Sequence, residues 1–278
     1  MTDKSVGDEG HMIRPSVPDT VARLGAHSLA ALRRGWRATW RQVPGPCALC
    51  AQRCCGGPLC PGCWHQVRAS RLGRRCACCA VPQVLRAPDS WCRDCRRDPP
   101  AFARVIIGMA YAAPADTLIL QFKQAQRYGR AGLLADLLVA ALRDEDGLVG
   151  LPAPRWVVPI PAAPSALRRR GFNPAGEVAA DVARQLGLPL LRRTLVWRDV
   201  ADYRSQHQLG RRARLERADS AFAVAPAAAL AGAGVLLIDD VMTTGATLRG
   251  AASALRAAGV ASVLACAVAR TPPVTPSL

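Results

Sequence analysis

The stretch VLLIDDVMTTGATLRG, residues 235–250, decides the fold. Aliphatic residues run into two adjacent acids, then into Thr and Gly, then into an Ala-rich segment. An apolar run bounded in this way reads as an inner strand, GVLLI (234–238), followed by a helix, TGATLRGAASALRAAG (244–259). Asp239 and Asp240 then stand at the C-terminal end of a central strand, where open α/β sheets place their ligands. Buried carboxylates need partners, and sugar hydroxyls or Mg²⁺ with its waters are suitable ones. The residues that follow, Val241, Met242, Thr243, Thr244, Gly245, Ala246 and Thr247, combine tight curvature at Gly245, converging backbone N–H groups, hydroxyls and a helix N-terminus. That is an anion site. Acids for a sugar beside amides for a phosphate describe a ribose 5-phosphate. The stretch is neither a Walker A loop nor a G-x-G-x-x-G dinucleotide turn.

Outward from this stretch, strands and helices alternate. RVIIGMAY (104–111), WVVPI (156–160) and ASVLACAVA (261–269) read as further strands. ADTLILQFKQAQR (115–127), GLLADLLVAALR (132–143) and NPAGEVAADVARQLG (173–187) read as helices, the last with Asn173 as N-cap and Pro174 in its first turn. The pattern predicts an α/β fold with a mostly parallel sheet flanked by helices. Residues 1–20 are polar and irregular and are expected to be a disordered tail. Residues 21–43 carry apolar positions at helical spacing (Val21, Leu24, Leu32, Trp36, Trp40) among arginines. They predict a basic amphipathic helix, packed on the protein in preference to a membrane surface.

Between them, residues 47–95 hold eleven of the twelve cysteines and few aliphatics. Such a segment cannot form an ordinary core, so another bond must hold it together. Its four C-x-x-C pairs are Cys47/Cys50, Cys60/Cys63, Cys76/Cys79 and Cys92/Cys95, and the segment looks like one unit used twice. Each pair forms a knuckle, and two knuckles complete a tetrahedron around Zn²⁺. The sequential arrangement groups the first two pairs and the last two; a cross-braced one groups alternate pairs. Short loops favour the first. Disulfides and iron–sulfur ligation are the competing uses of these thiols. Cys54, Cys55 and Cys78 are surplus, His65 is an alternative ligand, and Cys266 belongs to the core. The neighbouring arginines Arg53, Arg74, Arg75, Arg93, Arg96 and Arg97 are expected to compensate anionic thiolate centres. With no general base or open position in the pattern, both zinc sites read as structural.

The 278 residues carry a formal charge of +17, and half are hydrophobic, enough for a sizeable core. Only Lys4 and Lys123 are lysines; the other basic residues are arginines spread along the chain. A solvated surface and a nucleic-acid contact are equal readings of that charge. No membrane span and no secretion signal are visible, and a cytoplasmic location is expected.

VLLIDDVMTTGAT closely resembles the phosphoribosyl-pyrophosphate (PRPP) motif of type I phosphoribosyltransferases. With the cysteine pairs upstream, the chain resembles the ComF family, bacterial proteins with an N-terminal zinc ribbon. VVPIPAAPSALRRRGFNPA (157–175) is similar to that family's segment with the pyrophosphate loop and the RRGFN signature, and QHQLGRRAR (206–214) to its mobile segment. The likeness covers about residues 47–272. Pro174 stands where the family usually has Gln, and Arg217 near the place of an Asn.

The resemblance implies a double zinc ribbon over 44–98 and a type I phosphoribosyltransferase-like domain over 101–272. It implies that Asp239 and Asp240 contact the ribose hydroxyls and serve catalysis, and that Thr243–Thr247 cradle the 5′-phosphate. Pro159, Ile160, Pro161, Ala162 and Ala163 would hold pyrophosphate with Mg²⁺, with Arg168, Arg169, Arg170, Arg211 and Arg212 nearby. The implied activity is that of a glycosyltransferase of the phosphoribosyltransferase class, acting on PRPP and an unidentified acceptor. The alternative is a non-catalytic competence factor in DNA uptake, with PRPP as a ligand and the ribbon touching a DNA-uptake or helicase partner protein or single-stranded DNA. The ribbon's few aromatics, Trp64 and Trp91, favour a protein over DNA. No glutaminase unit and no base-specific hood are recognisable.

Overall fold

The architecture starts from strands whose successive residues face opposite sides of one sheet. In the computed structural model the described residues are 44–83, 91–124, 130–145, 152–198, 221–225 and 230–272. The expected tail, the amphipathic helix and the segment 206–214 with Arg217 lie outside them. In the cysteine segment, β1 (Gly45–Pro46) pairs with β2 (Arg53–Cys54), and two short helices follow, α1 (Pro61–Ala69) and α2 (Arg93–Arg97). The rest of the chain alternates: β3 (Arg104–Ala110), α3 (Asp116–Gln124), α4 (Arg130–Arg143), β4 (Pro154–Pro159), α5 (Pro164–Arg170), α6 (Pro174–Leu186), the hairpin β5 (Leu195–Trp197) and β6 (Phe222–Val224), β7 (Gly234–Met242), α7 (Ala246–Ala257) and β8 (Ser262–Arg270). The four main strands lie in the order β3-β8-β7-β4, every neighbouring pair parallel. This is the expected α/β sheet.

Because side chains alternate along a strand, the sheet has two apolar faces. Ile106, Val157, Leu236, Ile238, Leu264, Cys266 and Val268 pack on one side with α3, α4 and α6. Val105, Ile107, Val158, Val235, Leu237, Val263, Ala265 and Ala267 pack on the other with α7. The chain leaving β4 therefore goes on to a helix on one face, and the chain leaving β7 to a helix on the other. Between those two strands lies the crevice that such a reversal opens.

Two differences from the sequence reading concern this crevice. β7 does not end at Ile238 but runs on to Met242, still paired with β8. β4 stops at Pro159, opposite Ile238, so beyond that point β7 has, among the described residues, a strand neighbour on one side only. Asn173 does occupy the N-cap position of α6, yet its side chain makes no capping bond. It donates instead from Nδ2 to the Ile160 carbonyl at 2.9 Å, tying α6 to the end of β4. Pro174, at the first helical position, uses a site where a missing N–H costs nothing.

The sheet and α4 approach most closely at Gly108, where a Cβ would stand 2.9 Å from the Val268 carbonyl oxygen and 3.4 Å from the Leu138 nitrogen. Both neighbours are backbone and cannot swing aside. Gly108→Ala is expected to destabilise the protein by about 1–3 kcal/mol, read as a lower urea midpoint; an unchanged midpoint would reject this close approach.

Candidate phosphate and metal sites

The cysteine segment repeats one knuckle. Cys47 N–H donates to the Gln52 carbonyl at 2.8 Å and Ala51 N–H to Cys47 at 3.0 Å. In the second unit, Cys76 N–H donates to Val81 at 2.9 Å and Ala80 N–H to Cys76 at 2.9 Å. Ala51 and Ala80 both adopt the left-handed conformation, at φ 60° and 56°. Helices α1 and α2 both start from a cysteine in extended conformation, Cys60 and Cys92.

The result is two sequential groups, Cys47/Cys50/Cys60/Cys63 and Cys76/Cys79/Cys92/Cys95, each with its sulfurs within 4.8 Å of one another. The cross-braced pairing is excluded. His65, Cys54, Cys55 and Cys78 stand outside both groups. Cys50 and Cys60 sulfurs are 3.7 Å apart, as are those of Cys79 and Cys92. A tetrahedron with Zn–S bonds of about 2.3 Å has edges of about 3.8 Å, so the donor sets fit zinc in type and spacing.

Backbone N–H groups also point at the sulfurs, from Cys60 to Cys47 at 3.4 Å and from Cys92 to Cys76 at 3.1 Å. Burial opposes ionisation of Cys47, but the N–H groups of Cys50, Cys60 and Leu49 outweigh it and bring the thiol down to about 6. Crowding by other thiols pushes Cys63 and Cys79 up to about 12. Thiols held up in this way, Cys63 and Cys79, become ligands as a dication displaces their protons.

The expected charge compensation by adjacent arginines takes a different form. Arg75 spends its guanidinium on the carbonyls of Arg71, Ala80 and Ser70, at 2.7, 3.0 and 3.1 Å. Arg68 and Arg71 pair with Asp144. Arg53, Arg74, Arg93, Arg96 and Arg97 are exposed.

The crevice holds the acid pair. Asp239 is buried, while the Asp240 side chain keeps 15% of its surface and lies 2.7 Å from Lys123 Nζ. Asp239 Oδ1 accepts from the Asp240 N–H at 2.8 Å, and Asp240 Oδ1 from the Val241 N–H at 2.9 Å. Burial, then the neighbouring Asp240 charge, drives the Asp239 carboxyl well above the carboxylate range. Burial acts on Asp240 too, but the Lys123 ammonium overrides it and holds Asp240 below that range. The pair is thus one ionised acid beside one that resists ionisation.

Sequence reasoning missed Lys123. Its ammonium reaches the acid from α3, far away in the chain. The available signal was one of only two lysines in an arginine-rich sequence.

The stretch after the acid pair turns at Gly245, with φ +84°; a Cβ there would fall 2.4 Å from Met242 Cε. Gly245 precedes α7 without a side-chain cap, so the first-turn amides meet only a 3.4 Å contact from Ala246 N–H to Thr244 Oγ1 among the described residues. Thr243 is exposed, and Thr244 and Thr247 are half-buried at the crevice end of β7. Uncapped amides and the helix dipole suit an anion.

Across the crevice, residues 159–163 leave the end of β4. The Ile160 N–H donates to Ile238 at 2.8 Å, and the Pro161 carbonyl accepts from Trp197 Nε1 at 3.1 Å. Proline has no N–H, so this loop can offer an anion at most the amides of Ala162 and Ala163. Arg168 and Arg169 are exposed in the last turn of α5, where a cation also complements the helix dipole. Arg211 and Arg212 lie outside the described residues. Among the described residues no helix is long and apolar enough to cross a membrane.

Comparison with known proteins bears on this geometry. Residues 166–275 match the family described as "Phosphoribosyl transferase domain". The chain is 30% identical over 234 residues to the DNA utilization protein YhgH of Salmonella typhi, covering 82% of this chain and 98% of that protein. It is likewise 30% identical over 240 residues to YhgH of Escherichia coli K12, with 82% and 98% covered. Competence protein F of Haemophilus influenzae is 29% identical over 213 residues, 76% of this chain and 90% of that one.

Two outcomes follow from the site. Protein purified under reducing conditions is expected to carry two zinc ions per chain, one for each thiol group; Cys63→Ser and Cys95→Ser should each lower that by one in metal analysis, and metal-free wild type would refute the assignment. Lys123→Met strands the Asp240 carboxylate and should cost about 1–3 kcal/mol at neutral pH. Because the folded pKa of Asp240 is depressed, its contribution is present above the unfolded value and fades as the pH falls through the folded one. Urea midpoints of wild type and variant should therefore converge in acid.

Proposed function

Because the chain belongs to the ComF family, we propose that it binds PRPP with Mg²⁺ in the crevice between β4 and β7 and transfers the phosphoribosyl group to an as yet unidentified acceptor, releasing pyrophosphate. The observation that carries this reading is the buried acid pair set beside an uncapped helix N-terminus. Ribose hydroxyls donate to Asp239 and Asp240. The amides and hydroxyls of Thr243–Thr247 receive the 5′-phosphate. Pyrophosphate lies towards Ala162 and Ala163, with Mg²⁺ offsetting the charge of the leaving group. Departure of pyrophosphate develops positive charge on the sugar, and the adjacent carboxylates orient and stabilise it. Both cysteine groups hold structural zinc, the thiolate chemistry that a reducing cytoplasm preserves.

The printed names of the relatives, a competence protein and DNA utilization proteins, favour a second reading. In it the same crevice holds PRPP without turnover, and the ribbon touches a DNA-uptake or helicase protein, or single-stranded DNA. Pyrophosphate release in an acceptor screen separates the two.

Calorimetry with Mg²⁺-PRPP tests what both share. Asp240→Asn, which removes the ionised acid, should weaken binding at least about tenfold, the size of a lost charged hydrogen bond; equal affinity would count against the crevice. Asp239→Asn should instead raise the urea midpoint at neutral pH. A carboxyl whose folded pKa is raised costs no stability below its unfolded value; the cost grows as the pH rises from there and is complete above the folded one. The gain should disappear in acid.

A further inference from the structure

The second cysteine group is tied to the phosphate loop from two sides. Arg270, buried at the end of β8, donates from Nε to the Cys79 carbonyl at 3.3 Å. Its Nη1 donates to the Met242 carbonyl at 3.3 Å and to the Thr243 carbonyl. On the other flank, Arg249 in the first turn of α7 donates from Nη1 to Asp98 Oδ2 at 2.9 Å and from Nη2 to the Asp98 carbonyl at 2.7 Å. Asp98 caps α2, the helix that carries Cys95. The same unit is fixed to the sheet edge, where Val105 N–H donates to the Cys78 carbonyl at 2.8 Å. The first group is placed differently. Cys47 packs with the opposite face of the sheet, and α1 is held through Arg68 to Asp144.

These ties have a definite geometric effect. In a trans peptide the carbonyl and the following N–H point in opposite directions. Drawing the Met242 and Thr243 carbonyls towards Arg270 therefore turns the N–H groups of Thr243 and Thr244 the other way. Released from the guanidinium, the Thr243 peptide can rotate and present oxygen where an anion needs a donor, whereas the Met242 carbonyl keeps the Thr271 N–H at 3.0 Å. The second bond of Arg270, to Cys79, fixes the guanidinium itself to the knuckle. Arg249 holds the helix start in register with α2.

We propose that Arg270 and Arg249 are positioning residues that make the second cysteine group the mount of the phosphate loop, so that this group, and not the first, sets how tightly the loop holds a sugar phosphate. The proposal rests on the crevice reading given above. Filling the group with metal fixes the Cys79 carbonyl and α2, and with them both arginines.

The test combines hydrogen exchange over residues 239–250, ribose 5-phosphate calorimetry and zinc content. Arg249→Ala, Asp98→Ala and Arg270→Lys are expected to speed exchange in the loop and to weaken ribose 5-phosphate at least about fivefold, with zinc content as in wild type. Exchanging the charges, Asp98→Arg with Arg249→Asp, should recover part of what either single change loses, which general destabilisation cannot do. Cys92→Ser should lose one zinc and match Arg249→Ala. Arg68→Ala, which loosens the other side of the cysteine segment, should leave loop exchange and affinity unchanged. Wild-type exchange and affinity in Arg249→Ala and Arg270→Lys, or an equal effect of Arg68→Ala, overturns the mount. Wild-type protein that takes no ribose 5-phosphate overturns the crevice reading and the affinity claim together, and loop exchange alone then decides whether the mount exists.

Discussion

The crevice exists because β4 runs out of ladder before β7 does. The triplet Pro159-Ile160-Pro161 contains a single N–H, and Ile160 gives it to Ile238 as the last rung. A second proline cannot supply another. Among the described residues β7 continues to Met242 with β8 alone, so Asp239 and Asp240 sit where the ladder on the β4 side has ended. Placing two carboxylates there is unfavourable by itself, and the chain supplies one cation, Lys123, to the outer acid. Asp239 is left desolvated, with a backbone N–H from Asp240. In the proposed function such a site waits for donors that arrive with a ligand, at a cost to stability when none is bound.

The cysteine segment solves a different problem with the same sheet. Too short of aliphatics for a core of its own, it lends each of its two units to one face of the α/β domain. Cys47, Leu59 and Val67 join the side covered by α4 and α6, whereas Cys76, Cys78 and Cys95 join the side covered by α7. The two units share their knuckle geometry down to a left-handed alanine after each first pair, but not their surroundings. In each unit the four thiols are placed so that a metal ion would supply the internal bond, and the sheet supplies the apolar contact. An asymmetry of location thus arises from a repeated local structure.

What the sequence made legible follows the range of the interactions. C-x-x-C spacing, the strand-acid-turn-helix pattern and the alternation of elements are local, and short loops favoured sequential over alternate pairing of the cysteines. Contacts between distant segments were not legible. Nothing near Lys123 announces Asp240, and nothing near Arg249 announces Asp98, across a separation of 151 residues. Asn173 shows a subtler limit. Its position before Pro174 is that of an N-cap, and the backbone obeys, but the amide finds a better use at the Ile160 carbonyl once the fold brings β4 alongside. The end of β7 was misplaced for a related reason: two acids look like a strand terminus until the partner strand that tolerates them is known.

The choice of lysine at 123 carries meaning in a chain whose basic residues, Lys4 apart, are otherwise arginines. An arginine facing Asp240 would favour a two-pronged pair, occupying both carboxylate oxygens in a fixed plane. The ammonium meets Oδ2 alone, while Oδ1 takes the Val241 N–H. Lone pairs on the carboxylate remain for a hydroxyl, and the ammonium retains donors of its own. In the proposed complex, a group of that kind serves two partners at once: it keeps the outer acid ionised to receive a ribose hydroxyl and offers its remaining protons to phosphate oxygen. A guanidinium locked onto the acid would compete with the sugar for the same oxygens. The buried arginine of this site, Arg270, has the opposite task. It must hold several carbonyls in fixed directions, and there the rigid fork is the better tool.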